Sequence, residues 1–506
     1  MGKFGSATVA IIGGGFSGAA VALHLARGLN DGKDVRIVVF EPRERLGAGL
    51  AYDTTEPAHR INVPAYRMSL YPDEPESFAN YLARSGTRAH DPAAYTAEGI
   101  PFPRRSVFGD YVAAEIAPLL SSGAIEHRRK RVADVRRTGE AWMILTEDVE
   151  PVVADVVVLA VSHPAPSLPK ALRPLLAHPK LVADPTKANA LDIIAPTERV
   201  LVVGNGLTSA DVIAALDERG HQGPIVSISR RGLRSRGHPP AAEDPFGDFV
   251  SEPITRASEL LRRIRQTLRL AAQKGMSWHP VIDAVRAQGQ QIWQALPVVE
   301  RRRITRFTRA HWDVHRFRVA PQVQKVLDQA VESGRLEVMA ASIRSATIEA
   351  EGIAVELKER RAGAPRRIAV DAVVVTTGPA HGEVLKSQSF LTGLEEAGVL
   401  TPCETGLGIA CDRDGHALNA TGSAERSLFI AGPLARGTFG ELMGLPQVTE
   451  HAVFVARKVA ALLSSVIDEG RARQSAAPRA AVRRPIATLS RSEGSSPDAN
   501  SLERNI

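Results

Sequence analysis

Uninterrupted apolar runs, rather than alternating ones, organise this chain. Thr8–Ile12, Arg36–Phe40, Asp155–Leu159 and Arg199–Val203 are rich in β-branched residues, and each leads into Gly- or Pro-rich punctuation. Runs of that length suit strands buried on both faces of a parallel sheet. A fifth run, Asp371–Val375, repeats the layout of the third, an Asp followed by apolar residues, and reads as an equivalent device. Helical spacing follows two of the runs, over Ala19–Leu29 and Ala210–Leu216. Between Ile254 and Ser333 the texture changes to Arg-rich segments. There Leu260, Leu261, Ile264, Leu268 and Leu270 fall three and four apart, which predicts amphipathic helices. Short alternating segments return from Arg335 to Leu357 and predict strands. Beyond about Gly470 the chain becomes Ala, Arg, Ser and Pro without periodicity, so 470–506 is expected to be a disordered tail.

Two glycine motifs stand where strand gives way to helix. After Thr8–Ile12 comes Gly13-Gly14-Gly15-Phe16-Ser17-Gly18, a GxGxxG in its required context. Gly13 permits the tight turn, Gly15 lets the backbone approach a pyrophosphate, and Gly18 lets helix and strand pack closely. The free N–H groups of the helix N-terminus face the phosphates. The second strand ends at Glu41, whose carboxylate is suited to ribose hydroxyls, after a loop extended by Asn30-Asp31-Gly32-Lys33-Asp34. The second motif, Gly204-Asn205-Gly206-Leu207-Thr208-Ser209, follows Arg199–Val203, with Ser209 as the small residue at the third glycine position. Its next strand, Ile225–Ser229, ends in Arg230-Arg231 instead of an acid. Those arginines suit the 2′-phosphate of NADPH, or else are surface residues at a strand end.

Composition removes several classes of function. The chain has 506 residues with 44% hydrophobic content, enough for two or three structural units. No run approaches the eighteen apolar residues of a membrane span, and no secretory leader opens the chain, so the cytoplasm is the expected address. The net charge of +7 is concentrated in the central helical stretch and the tail. With 5% aromatic residues and no nucleic-acid motif, it reads as a solvated surface and not a nucleic-acid site. Cys403 and Cys411 are too few for a disulfide framework and lack the spacing of a dithiol reductase. No Cys/His cluster has metal-ligand spacing, so no metal is expected. No Ser/His/Asp triad is evident.

Further stretches carry a resemblance. Phe40-Glu41-Pro42-Arg43, Leu46-Gly47-Ala48-Gly49-Leu50-Ala51-Tyr52 and Ile61-Asn62-Val63-Pro64-Ala65 resemble the FAD/NAD(P)-binding family that includes FAD-dependent urate hydroxylase and aspartate N-monooxygenase. So do Gly204–Asp211, Ser229–Leu233, Trp312–Arg316 and Ala431–Glu441, and together these cover roughly 7 to 465. Two departures stand out. The Leu-Ala-Thr-Gly that flavin monooxygenases often carry at the domain crossover is here Leu159-Ala160-Val161-Ser162-His163 in one copy and Val375-Thr376-Thr377-Gly378-Pro379 in the other. The C-terminal acid of many two-nucleotide flavoproteins is replaced by Pro433 and Leu434 after Gly432, which leaves backbone amides beside Gly432 to hold the ribityl–phosphate portion.

The resemblance implies an α/β fold with two Rossmann-like, three-layer dinucleotide-binding domains and a helical insertion. The expected boundaries are 1–165 plus 370–468 for an FAD domain, and 190–369 for an NAD(P) domain with its insertion at about 250–332. It implies FAD on Gly13, Gly15, Phe16, Ser17, Gly18, Glu41, Pro42, Arg43, Leu50, Ala51, Tyr52, Asn62, Val63, Gly432 and Pro433. NADPH or NADH is expected on Gly204, Gly206, Leu207, Thr208, Ser209, Arg230 and Arg231. The implied activity is NAD(P)H-dependent, oxygen-using hydroxylation of a small nitrogen-containing metabolite, a urate-type ring or an amino acid nitrogen. A reductase or oxidase without oxygen insertion, and a non-catalytic nucleotide-binding protein, are the alternatives. Tyr52 and Asn62 are the candidates beside the flavin, although Asn62 also suits a turn cap before Pro64. His163 reads as a titrating group or a linker residue. Trp312, His315 and Arg316 share a helical surface that lines a substrate pocket or packs on the nucleotide domain. Arg436 reads as a carboxylate anchor or a solvent-facing residue.

Overall fold

The computed structural model describes residues 7–29, 35–147, 150–241, 243–360 and 364–476. The insertion Asn30–Asp34 and the tail from 477 lie outside them. The predicted runs form strands. β1 (Ala7–Ile12), β2 (Val35–Phe40) and β3 (Glu126–Arg128) lie parallel in one sheet. β4 (Val132–Thr138), β5 (Ala141–Thr146) and β6 (Val152–Ala154) make a small antiparallel sheet. β7 (Val156–Leu159) then returns beside β1.

A second sheet follows in the chain: β8 (Leu181–Val182), β9 (Val200–Val203), β10 (Ile225–Ser229), β11 (Leu336–Glu349), β12 (Gly352–Glu359), β13 (Arg366–Val370) and β14 (Ala372–Val375). Its order is β13-β12-β11-β10-β9-β14-β8. Strands β15 (His416–Leu418) and β16 (Ala424–Ile430) complete the first sheet in the order β15-β16-β7-β1-β2-β3. The central strands β7, β9 and β14 are buried along their whole length, which is why they read as continuous apolar runs. Helix Phe16–Gly28 follows β1 and helix Leu207–Glu218 follows β9, both starting earlier than their apolar periodicity indicated.

The two Asp-led strands are equivalent in pairing as well as in sequence. Asp155 Oδ2 accepts the Thr8 N–H (2.7 Å) and sets β7 beside β1. Asp371 Oδ2 accepts the Arg199 N–H (2.7 Å) and sets β14 beside β9. This corrects the expectation that the chain re-enters the first unit at 370. β14 belongs to the second sheet because its hydrogen-bond partners are β9 and β8, and only β15 and β16 return.

The helical stretch comprises Ala257–Gln273, His279–Ala287, Gly289–Ala295, Val298–Arg303 and Arg309–Arg316, with a π-helical turn over Ile304–Thr308. The helix Pro321–Glu332, expected as part of the insertion, packs instead on the helix Leu207–Glu218 and on β11 as the crossover from β10. The excursion closes at a neck: the Arg236 N–H donates to Val314 O (2.8 Å), and the Val319 N–H donates to Arg236 O (2.9 Å). Leu270 departs from the predicted apolar stripe and is 46% exposed. The last helix, Gln447–Ala476, runs past the expected start of the tail at 470. Among the described residues no helix is long and apolar enough to cross a membrane.

Candidate functional site

The first glycine motif is shaped by contacts its own backbone makes. Gly13 has φ +99°, and a Cβ there would lie 2.7 Å from Ala160 O on the crossover strand. A Cβ on Gly18 would meet Gly13 O at 1.9 Å, so strand and helix touch through bare backbone. Gly15 differs, since the nearest atom to a Cβ there is Gly49 Cα at 3.4 Å. The protein leaves space at Gly15 that its own packing does not require. Gly15 also begins the helix Phe16–Gly28 with no side-chain cap, so the first-turn N–H groups remain for an anion.

Glu41 lies beside this helix start, at the end of β2. The Gly14 N–H donates to its Oε2 (3.0 Å), and the Arg43 N–H and guanidinium both donate to Oε1 (3.1 Å each). A carboxylate offers about four acceptor positions, so Glu41 retains capacity for hydroxyl donors. Gly432 stands directly over the motif, where a Cβ would fall 2.3 Å from Ser17 Oγ. Its amide, however, is spent within the protein: the Gly432 N–H donates to His451 Nδ1 (3.1 Å). The acceptor role fixes the neutral His451 ring, and burial pushes its pKa down to about 4.

Tyr52 ends the short helix Gly49–Tyr52 and packs on Phe108 (ring centroids 4.6 Å apart) and Phe16 (6.4 Å). Burial pushes its hydroxyl up to about 12, with Arg105 acting weakly the other way, so it is a neutral phenol. Leu50 and Ala51 are exposed on that helix, and Val63 is partly buried. The Asn62 carbonyl accepts from His238 Nε2 (3.0 Å), which ties the first unit to the loop after β10. Burial, reinforced by Arg318, holds His238 at about 4.

The second motif repeats the first with different chemistry. Gly204 has φ +131°, and its Cβ would lie 2.3 Å from Thr376 O, the counterpart of Gly13 against Ala160. Here the crossover residue adds a hydroxyl, and Thr376 Oγ1 donates to Val203 O (3.1 Å). Gly206 has nothing within 4 Å of a Cβ and starts an uncapped helix at Leu207, with Thr208 in its first turn. Ser209 is buried, with its hydroxyl 3.2 Å from Ser227 Oγ on β10. Arg230 is exposed, whereas Arg231 is partly buried and donates to Phe307 O (3.0 Å).

A cavity of about 550 Å³ lies between the helical insertion and Arg436–Glu441. Arg231 follows β10 of the second sheet, and Arg436–Glu441 follows β16 of the first. The cavity therefore sits beyond the carboxyl ends of strands from both sheets, where open α/β sheets bind ligands. Leu260, Leu261, Ile264 and Leu268 form part of its wall, as do Trp312 and His315. Arg316 does not join them. It is buried and paired with Glu441 (2.5 Å), while Arg286 donates to Leu445 O and Gln447 Oε1. Burial, with Arg316 nearby, lowers Arg286 to about 9.

These long-range partners left no local signal, although Glu441 lies in the family-like stretch. Trp293, a further wall residue, donates Nε1–H to Gly437 O (2.9 Å) and clamps the insertion over this segment. His163 is held at about 4 by burial and by the charges of Arg436 and Arg309, placing the crossover near the same cavity.

Residues 10–164 match the model of a family described as FAD-NAD(P)-binding. This segment holds the first glycine motif, Glu41, Tyr52 and Asn62. In fold, the chain is similar to ornithine hydroxylase from Pseudomonas aeruginosa, with TM-score 0.61 and 17% identity, over 90% of this chain and 100% of that one. It is also similar to L-lysine 6-monooxygenase from Pseudomonas syringae, with TM-score 0.59 and 21% identity, over 90% and 99% of the two chains. A cadaverine monooxygenase from Erwinia amylovora, bound to FAD, gives TM-score 0.59 and 13% identity, over 90% and 94%. No curated protein matches the sequence at a significant level. The architecture is that of flavoproteins with two dinucleotide-binding domains.

FAD fits the first motif: the open approach at Gly15, the uncapped helix and the Glu41 carboxylate are the features its pyrophosphate and ribose require. The cysteines are both buried and free, and burial pushes Cys411 up to about 12, far from a thiolate. Asp412, Asp414 and His416 converge near one point, but Asp412 caps His416 and Lys458 pairs with Asp414 (2.6 Å).

Proposed function

We propose that the protein is an NAD(P)H-dependent flavin monooxygenase acting on the nitrogen of a small amine or amino acid. The observation that carries this reading is a cavity beyond the carboxyl ends of strands from both sheets, in a chain with two glycine turns shaped for dinucleotides. The first unit would hold FAD through Gly13, Gly15, Ser17, Gly18 and Glu41, with Tyr52 and Asn62 toward its reactive end. The second would hold NADPH or NADH through Gly204, Gly206, Thr208 and Arg230. When bound, the flavin supplies oxygen activation by electrons taken from the nicotinamide, and the protein supplies binding, orientation and exclusion of water.

The overall reaction balances as R–NH₂ + O₂ + NAD(P)H + H⁺ → R–NHOH + H₂O + NAD(P)⁺. Each chain residue then has a modest task. Tyr52 is a neutral phenol that donates without ionising, and His163 is a neutral imidazole at the crossover. Arg436 and Arg309 give the cavity a positive end. The fold similarity to ornithine, lysine and cadaverine hydroxylases supports nitrogen as the acceptor, and the apolar wall argues against a urate-type ring.

The test is NAD(P)H consumption by the FAD-loaded protein across a pool of amines and amino acids, with mass spectrometry of the products. A substrate-dependent gain of one oxygen atom is expected. Peroxide without oxygenated product would make the protein an oxidase, and no consumption with FAD bound would make it non-catalytic.

A further inference from the structure

Arg436 is a buried, unmatched charge in the cavity wall. It is 5% exposed, its Nη1 has no hydrogen-bond partner, and among the described residues no carboxylate pairs with it. The nearest acids are paired with other arginines, Glu441 with Arg316 and Asp313, through Oδ2 alone, with Arg309 (3.3 Å), and Asp313 makes no ion pair with Arg436. The guanidinium groups of Arg286, Arg309, Arg316 and Arg436 thus lie near one another around Glu441 and Asp313, and Asp283, the further acid near Arg286, is paired with Arg318 (2.8 Å). A buried cation without a partner is costly, so this end of the cavity is built for an anion. Most of the remaining wall is apolar, with Leu260, Ile264, Trp278, Ile292, Trp293 and Trp312 facing the same space.

We propose that the cavity takes a monocarboxylate with a large apolar body, its carboxylate held by Arg436 and its body enclosed by the aromatic and aliphatic wall. The inference rests on the monooxygenase reading only for the statement that this molecule also bears the nitrogen to be oxidised. It sets the chain apart from an enzyme for a diamine or a basic amino acid, since the wall offers no second carboxylate for a distal ammonium. Glu441, the acid that lines it, is already shared by buried arginines.

The experiment measures binding, so it needs neither NAD(P)H nor oxygen. The full chain is titrated by calorimetry with 4-phenylbutyrate, the matched alcohol 4-phenylbutan-1-ol, and L-ornithine. Fluorescence at tryptophan-selective excitation locates the ligand, because three of the four tryptophans line the cavity. The acid is expected to bind with a change in tryptophan emission, the alcohol at least about tenfold more weakly, and ornithine not at all. Arg436→Met is expected to reduce acid binding to the level of the alcohol and leave the alcohol unchanged. Equal binding of acid and alcohol by the unmodified protein, a comparison that requires no variant to fold, would overturn the proposal. Preference for ornithine would overturn it while leaving the monooxygenase reading intact. Binding of the acid, with no amine-bearing carboxylate ever gaining oxygen, would uphold the cavity assignment and remove the monooxygenase reading.

Discussion

The guanidinium of Arg105, on the helix Arg105–Ser121, lies 2.8 Å from the carboxylate of Asp211 on the first helix of the second nucleotide unit. Arg105 also donates Nε–H to the Arg60 carbonyl (2.9 Å), so one largely buried side chain joins the two units. Asp211→Ala removes the counter-charge and strands the guanidinium. The expected loss is on the order of 3 kcal/mol in unfolding free energy, read from urea denaturation. Asp211→Asn keeps an acceptor and should lose less. An unchanged midpoint for both variants would mean that water, not Asp211, solvates Arg105.

The two glycines of the first motif should respond to alanine in opposite ways. Gly15→Ala finds no protein atom closer than 3.4 Å, so the variant should fold with near-normal stability and yet lose FAD. Gly18→Ala drives a methyl to 1.9 Å from Gly13 O and should destabilise the fold itself. Flavin absorbance per folded protein, beside the thermal midpoint, separates the two. A Gly15→Ala protein that keeps its full flavin would move the pyrophosphate elsewhere.

Three histidines make stability depend on pH. Burial holds His163, His238 and His451 at about 4 in the folded chain, below the ordinary value of 6.5. Between those values the unfolded chain binds more protons than the folded one, so stability rises with pH. It is fully present above about pH 6.5 and erodes as pH falls toward 4. For the deeply buried His451, each pH unit inside the window is worth at most about 1.4 kcal/mol. Unfolding free energies at pH 7, 6 and 5 should decline, and the decline should be shallower in His451→Gln by about one proton.

Arg230 and Arg231 are not equivalent candidates for a 2′-phosphate. Arg230 is exposed, whereas Arg231 spends part of its guanidinium on Phe307 O. Arg230→Ala should therefore raise KM for NADPH on the order of tenfold, with little change for NADH. Added salt should weaken NADPH more than NADH in the unmodified protein. An enzyme that prefers NADH, with Arg230→Ala indifferent to both nucleotides, would leave these arginines as surface residues.

Local signals in the sequence were reliable, and long-range ones were silent. β7, β9 and β14 announce themselves because burial on both faces leaves no polar position, and Gly13 and Gly204 because only glycine fits their turns. The Asp-led repeat was legible as a device, but which sheet β14 joins depends on a partner at 199, far away in sequence. Helical spacing put Leu260 and Ile264 on one apolar stripe and Trp312 with His315 and Arg316 on another surface, yet it could not show that Arg316 would turn to Glu441, 125 residues on. Nothing near Gly432 in the sequence marks His451 as the acceptor of its amide.

The neck at Arg236 gives the molecule a particular kind of freedom. Chain leaves the second sheet and re-enters it at a single backbone ladder, so everything between is a cassette whose two ends are already held together. Lengthening or rebuilding such a segment adds closure entropy only as the logarithm of its length, and the strands that carry both glycine cradles need not be rethreaded. Because the cassette supplies most of the cavity wall and none of the glycine cradles, while Arg436 comes from the segment after β16, the shape of the apolar wall is separable from the cradles and from the buried cation. A lineage, or an engineer, can exchange the wall without rebuilding either.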